Sequence, residues 1–339
     1  MRILYHIPFR YGLGADRWIY EGYRDAFFDL KHDFFTFENH ERLEEKLGKI
    51  SPHIFITSQN DLLLLRGNFL KTLREFRKQG GRVFVRVGED FAASEAQRNL
   101  LLQTGWQDVY FTSYSYEVMG GFEEIAKRGY VIIPFAANAR THFPVASVAG
   151  YEVDICFLGA NLPRKREIFR RLLFPLFKKY NVLVLGPGWR LEDKFLRVIG
   201  KIARKMNFYS LAKYLYKKRV NVPVEEERAL YSSAKISLNI HEYDQSGKVL
   251  GLSNEREFKI PAAGGFQISD NVPGLEKFFE PEKEIIIYKN THDWFSKIDY
   301  YLKHDKERCA IQNAGTRRAL HDHTYHQRVQ EFIKFYNTL

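Results

Sequence analysis

The sequence predicts an α/β protein built from two Rossmann-like domains facing each other across a cleft. Three observations lead there. Short apolar runs alternate with stretches of helical periodicity along the whole chain, the signature of parallel strands wrapped by helices. The alternation breaks after Pro144 and then starts again. The chain has 339 residues, more than the roughly 250–300 at which one hydrophobic core stops growing.

In order, the first series of buried strands is Ile3–Ile7, His53–Ser58, Arg82–Val87, Asp108–Ser113 and Tyr130–Phe135. Between them lie helical stretches such as Leu62–Lys78. The second series is Val153–Gly159, Asn181–Gly186, Lys235–Ile240, Phe266–Ser269 and Glu284–Tyr288, with a closing helix from about Tyr325 to Thr338. This divides the chain into an N-terminal domain, 1–145, a C-terminal domain, 146–322, and a C-terminal helix, 323–339. Domains of this kind place their ligand loops at the carboxyl ends of the strands, so the two sets of loops are expected in one cleft.

Composition excludes several classes. With 28 Phe and 20 Tyr the chain is too rich in aromatics to stay unfolded. Cys156 and Cys309 are read as buried thiols, since two cysteines make neither a disulfide framework nor a zinc site. The chain opens on a strand without a signal peptide, and no run of about 18 apolar residues occurs. A cytoplasmic protein is expected, with peripheral attachment to the inner face of the membrane as its one membrane association. Hydride transfer is disfavoured, because the nearest approach to a dinucleotide fingerprint is Gly12-Leu13-Gly14, with no third glycine. A P-loop is absent as well.

The most informative stretch is Ser253–Phe279. Asn254 is placed to cap a helix, and Glu257, three residues on, to close a capping box. Arg256 falls in the first turn, where unpaired backbone N–H groups favour an anion. Pro261-Ala262-Ala263-Gly264-Gly265 ends the helix with residues small enough for close approach of a bulky anionic ligand. A nucleotide diphosphate fits that description.

The C-terminal half resembles the spore-maturation (CgeB-like) glycosyltransferase-like family, whose fold is the two-domain GT-B type. The resemblance is carried, in order, by Asp154–Leu172, Val184–Trp189, Leu230–His241, Asn254–Phe266 and Ile298–Arg328, the last with a family-like His323-Thr324-Tyr325. It covers about 150–330 and reaches weakly into the first half through Val85–Phe91 and Ile132–Pro144. It implies a transferase that moves a sugar from a nucleotide-diphosphate donor to an acceptor hydroxyl of a cell-surface or lipid-linked glycan. It implies no cofactor beyond the donor itself. One position departs from the family, which usually has Glu where this chain has Lys259. In related enzymes that carboxylate accepts hydrogen bonds from the nucleotide ribose, and an ammonium cannot. Either Lys259 contacts a phosphate, or Glu255 or Glu257 takes the ribose.

Arg164, Lys165 and Arg166 stand at a helix start, where cations oppose the macrodipole and need another reason to be there. The resemblance supplies one, diphosphate binding by Lys165 and Arg166. Gly188 and Trp189 are either a turn flanking the nucleotide base or an ordinary turn with a buried Trp. His241 ends a strand and is a candidate for the donor phosphate or sugar, or else a structural histidine. Ser253, Asn254 and Arg256 are the strongest donor-binding candidates, against simple helix capping. In the first domain Asp90 is the candidate catalytic base, ahead of Glu89 and Asp16, with a helix cap as the alternative. Gly12 and Gly14 let a phosphate approach the backbone. No Asp-x-Asp occurs and no metal site is expected, so positive side chains and helix dipoles would neutralise the leaving group.

The net charge of +11 is concentrated. Between Arg190 and Arg219 ten Lys and Arg face two acids, a balance of +8, interleaved with Phe195, Phe208, Tyr209, Tyr214 and Tyr216. This insertion reads as an amphipathic pair on an anionic membrane, as a nucleic-acid groove, or as a solvated helical hairpin. Two further function classes stay open: a non-catalytic glycosyltransferase-like binding or structural protein, and a glycosyltransferase acting on nucleic acid.

Overall fold

The structure is a computed structural model that describes residues 1–7, 15–218, 222–243 and 249–339. The chain forms two compact units, Met1–Asn138 with Tyr325–Leu339, and Ala139–Thr324. Segment 139–145, assigned above to the first domain, thus lies in the second unit. It is tied there by the Val145 amide donating to Ser232 Oγ at 3.1 Å.

The first unit holds strands β1 (Arg2–His6), β2 (Asp33–Phe37), β3 (Ile54–Ser58), β4 (Arg82–Arg86), β5 (Val109–Thr112) and β6 (Val131–Ile132). All pair in parallel in the order β2-β1-β3-β4-β5-β6. Strand β2 was not among the runs read from the sequence. It lies at the sheet edge with alternating burial, and its Asp33 and Thr36 interrupt the apolar run by which the inner strands show themselves. The expected helix Leu62–Lys78 is split into Gln59–Leu62 and Phe69–Lys78, the second capped by Asn68. The closing helix Tyr325–Tyr336 belongs to this unit. Its Phe332 is fully buried against Tyr23, Phe84 and Phe111, and Arg328 donates to the carbonyls of Pro134 and Phe135.

The second unit holds β7 (Ile155–Leu158), β8 (Val182–Leu185), β9 (Ile236–Asn239), β10 (Gln267–Ser269) and β11 (Ile286–Ile287). They too are parallel, in the order β11-β10-β9-β7-β8. Its core gathers Phe157, Phe169, Leu238, Ile268 and Trp294. Cys156 is buried in this sheet, and burial pushes its thiol up to about 12. Cys309 is exposed on the helix Asp305–Asp322, contrary to the expectation of two buried thiols.

Both sheets reverse strand order next to their first strand, between β1 and β3 in one unit and between β7 and β9 in the other. In open α/β sheets such switch points leave a crevice outside the carboxyl ends of the strands, where ligands bind.

Candidate functional site

At the second unit's switch point the strand ends carry two cations. The Arg256 guanidinium reaches across both strands. Its Nη1 donates to the carbonyl of Leu158 on β7 at 3.0 Å, and its Nη2 to the carbonyl of Ile240 just past β9 at 3.2 Å. Its Nε donates to Asn239 Oδ1 at 3.0 Å, and the group lies over the Phe157 ring. This seat depends on Gly159, since a Cβ there would fall 2.4 Å from Nη1. Lys165 lies buried beside it, with Nζ donating to the same Ile240 carbonyl at 3.1 Å. Burial, and next the neighbouring Arg256, pull the Lys165 ammonium down to about 7. Among the described residues no carboxylate forms an ion pair with Lys165 or Arg256.

Two other loops close on this crevice. Gly159 and Asn161, after β7, lie against Gly186 and Gly188, after β8. Gly159 N donates to Leu185 O at 3.0 Å, and Asn161 N to Pro187 O at 2.8 Å. Gly186 has φ +124°, and a Cβ on it would meet Gly159 O at 2.5 Å, so only glycine permits the contact. The amide of Gly188 is taken by the buried Asp193 carboxylate. Trp189 donates Nε1–H to Gly159 O at 2.7 Å, and its half-buried ring packs with Phe157, Phe169 and Phe174. Its ring and donor therefore serve the loop packing.

The residues after β9 and β10 form a closed polar network below the cations. The register Ser269↔Asn239 brings Asp270 beside His241. The His241 ring donates from Nδ1 to Asp270 at 3.1 Å and from Nε2 to Glu257 at 3.0 Å. Its burial alone would lower its pKa, but these two carboxylates outweigh that and raise it. The partnership with His241 likewise holds Asp270 below its ordinary range against burial. Tyr243 and Tyr288 donate to the other Asp270 oxygen. Both ring nitrogens of His241 are thus engaged, which leaves neither for the donor contact suggested by the sequence.

Ser253 and Asn254 act as caps. Ser253 Oγ donates to Glu257 Oε2 at 2.7 Å, Glu257 Oε1 receives the Asn254 amide at 3.2 Å, and Asn254 Oδ1 receives the Arg256 amide at 2.9 Å. The helix Arg256–Ala262 is two turns long. Its first amides are spent on Asn254 and Glu255, so the unpaired N–H groups expected at its start are not there. Positive charge at this site comes from side chains.

Lys259, three residues beyond Arg256, is buried with its Nζ 3.7 Å from both Glu227 and Glu255. In the fold it serves as their internal counterion. Burial pushes Glu227 up, but Lys259 and then His142 hold it down to about 2. Arg166 is exposed and makes no ion pair with a described residue, while its neighbour Arg164 pairs with Glu242 at 2.8 Å.

In the first unit Asp90 is exposed, and both its oxygens accept from Asn60 Nδ2 at 3.3 Å. It lines a cavity of about 300 Å³ with Ser58, Arg86, Glu89 and Tyr114, at the carboxyl ends of β3, β4 and β5. Gly12 and Gly14 lie outside the described residues, as does the side chain of Asp16.

Sequence reasoning missed Asn239, Asp270, Glu227 and Tyr288. A signal existed for two of them, because Asn239 ends β9 and Asp270 directly follows β10, polar residues at the ligand-binding edge of the sheet. Among the described residues no group of three metal-ligating side chains occurs.

Residues 164–334 match the family described as glycosyl transferase-like. The chain is 23% identical to the spore protein CgeB of Bacillus subtilis over 194 residues, 55% of this chain and 55% of that protein, so it spans about half the length of this curated relative. Its fold is similar to that of sucrose-phosphate synthase from Thermosynechococcus elongatus, with a TM-score of 0.66, 13% identity, and 99% and 98% of the two chains covered. It is similar also to Anabaena Alr3699/HepE, solved in complex with UDP and glucose, with a TM-score of 0.64, 10% identity and full coverage of both chains. The two parallel sheets with their helices are of the GT-B type. By its sequence match, the chain belongs to the glycosyl transferase-like family.

Proposed function

We propose that the protein transfers a sugar from a nucleotide-diphosphate donor to an acceptor hydroxyl, that of a cell-surface or lipid-linked glycan. The observation that carries this is the pair Lys165 and Arg256. Two cations are brought to the crevice between β7 and β9, where they donate to carbonyls and are in ion-pair contact with no described carboxylate, Asp270 acting on both only from a longer distance. Buried positive charge in that state is costly unless an anion completes it. A diphosphate supplies the missing charge, and the structurally similar HepE was solved with UDP.

In this reading the two side chains favour the transition state by neutralising negative charge as the sugar–phosphate bond breaks, the role a divalent cation has in other transferases. The exposed Asp90 carboxylate takes the acceptor proton. The test is incubation with a panel of nucleotide sugars. Release of free nucleotide that Arg256→Ala abolishes is expected. A second reading, a binder without turnover, is favoured by one observation: position 259 offers a cation turned to Glu227 and Glu255 in place of a carboxylate for the ribose. Tight nucleotide binding without release from any donor would support that reading and contradict the first.

A further inference from the structure

The basic insertion folds into two helices, Leu191–Lys205 and Tyr209–Lys218, packed on each other through Leu196, Ile199, Ala203, Ala212 and Leu215. That contact uses one side of the first helix. On another side Leu191, Phe195, Val198 and Ile202 stand in solvent, with Leu191 81% and Phe195 67% exposed. At about 100° per residue these four side chains fall within an arc of about 60°. Lys194, Arg197, Lys201, Arg204 and Lys205 fall together on the neighbouring arc, and none of them forms an ion pair with a described residue. The inward arc carries Leu196, Ile199, Gly200 and Ala203. The helix therefore has a packed side, a cationic side and an exposed apolar side. Only the first is accounted for within the described residues.

We propose that this exposed apolar stripe, with the cations beside it, docks the protein on an anionic lipid bilayer. The helix would lie in the plane of the interface, with the four apolar side chains about 5–10 Å deep and the lysines and arginines among the headgroups. Three features select this occupant. Leu191, Val198 and Ile202 are aliphatic and offer nothing for a nucleic-acid base to stack on, so a nucleic-acid groove leaves the stripe unexplained. A second copy of the chain would bring five more cations against the same edge, and the like charges oppose that pairing. No described helix is long and apolar enough to cross a membrane, so the contact is with the surface. The inference does not depend on sugar transfer.

The experiment is co-sedimentation of the whole protein with vesicles of equal parts phosphatidylglycerol and phosphatidylcholine, and with vesicles of phosphatidylcholine alone. Binding to the anionic vesicles, weakened by salt and absent from the neutral ones, is expected. The triple change Lys194→Ser, Lys201→Ser, Lys205→Ser should weaken it about a hundredfold, at about fivefold for each lysine. The pair Phe195→Ser, Ile202→Ser should abolish it even at low salt, with far-UV circular dichroism unchanged because both positions face solvent. The proposal is overturned if the anionic vesicles bind no better than the neutral ones, or if both sets of variants bind as the parent does. It is also overturned if duplex RNA or DNA binds while vesicles do not, or if the stripe proves to be buried in a dimer that Phe195→Ser dissolves.

Discussion

The two units share a strand order around their switch points and differ in what they put there. At β1 and β3 the buried residue is His6, which donates Nε2–H to Asn39 Oδ1 at 2.6 Å and meets Thr57 Oγ1 through Nδ1 at 2.8 Å. Burial lowers its pKa to about 4, so it is neutral at physiological pH and its hydrogen bonds are internal. At β7 and β9 stand Lys165 and Arg256, charged groups held only by carbonyls and an amide. Topology supplies a crevice in both cases, and the side chains at the strand ends decide whether it attracts an anion.

A third buried cation sharpens the contrast. Lys259 has two carboxylates at 3.7 Å, where Lys165 has none in ion-pair contact among the described residues. Lys259→Met should lose about 3–5 kcal/mol of stability, because it strands Glu227 and Glu255 in the interior. Chemical denaturation measures that, and nucleotide affinity should change little in comparison. Glu227 sets the pH sense. Its folded pKa is depressed, so its contribution is present above the ordinary carboxylate range and is lost as pH falls through about 2. The variant should lose that acid-side slope.

Arg256→Met comes next. Nucleoside diphosphate affinity should fall about a hundredfold or more, with a drop in melting temperature as Leu158 O and Asn239 lose their donor. Arg256→Lys should not restore binding, since an ammonium cannot span both strand ends as a planar fork does. Gly159→Ala, which forces a methyl into the guanidinium seat, should reproduce part of the loss without touching the charge. Titration calorimetry separates the three.

Lys165→Met should weaken diphosphate binding by about ten- to a hundredfold, the range of one hydrogen bond to a charged group. Unlike Lys259→Met, it should raise the melting temperature of the ligand-free protein, because burial costs the Lys165 ammonium more than its distant carboxylates return. The smallest effect is expected at the other switch point. His6→Gln keeps a polar group between Asn39 and Thr57 and should leave nucleotide affinity unchanged. A large loss there would break the contrast between the two crevices.

Much of the fold was legible in the sequence, because strands buried on both faces read as continuous apolar runs. Val83–Val85 and Ile155–Phe157 are examples. The edge strand Asp33–Phe37 was not, since one of its faces meets water and polar residues interrupt its run. Lys165 and Arg256 were marked in the sequence because cations stood in places that local helix electrostatics disfavours or that an anion would explain, and the fold brings the two together at one carbonyl. At His241 and Lys259 the fold adds internal partners that the sequence did not show. Both are residue types that suit a ligand, and in the fold each is enclosed by carboxylates that arrive from distant positions, Asp270 for one and Glu227 for the other. Pairing between segments far apart in sequence is set by strand register and helix packing, which one chain's local pattern does not carry.

The proposed function stands or falls with binding of a diphosphate by Lys165 and Arg256. Its most direct test follows from the depressed Lys165 pKa. The folded group sits at about 7 and an unperturbed lysine near about 10.4, so an arriving anion must restore a proton that the free protein begins to lose at neutrality. UDP should be titrated calorimetrically into the parent protein and Lys165→Met, in buffers of different ionisation enthalpy, on both sides of that pH. Proton uptake on binding is expected, with an affinity that falls by up to about tenfold per pH unit above about 7 in the parent, and both should be absent in the variant. Equal affinities and equal proton counts for the two proteins across that range would contradict it.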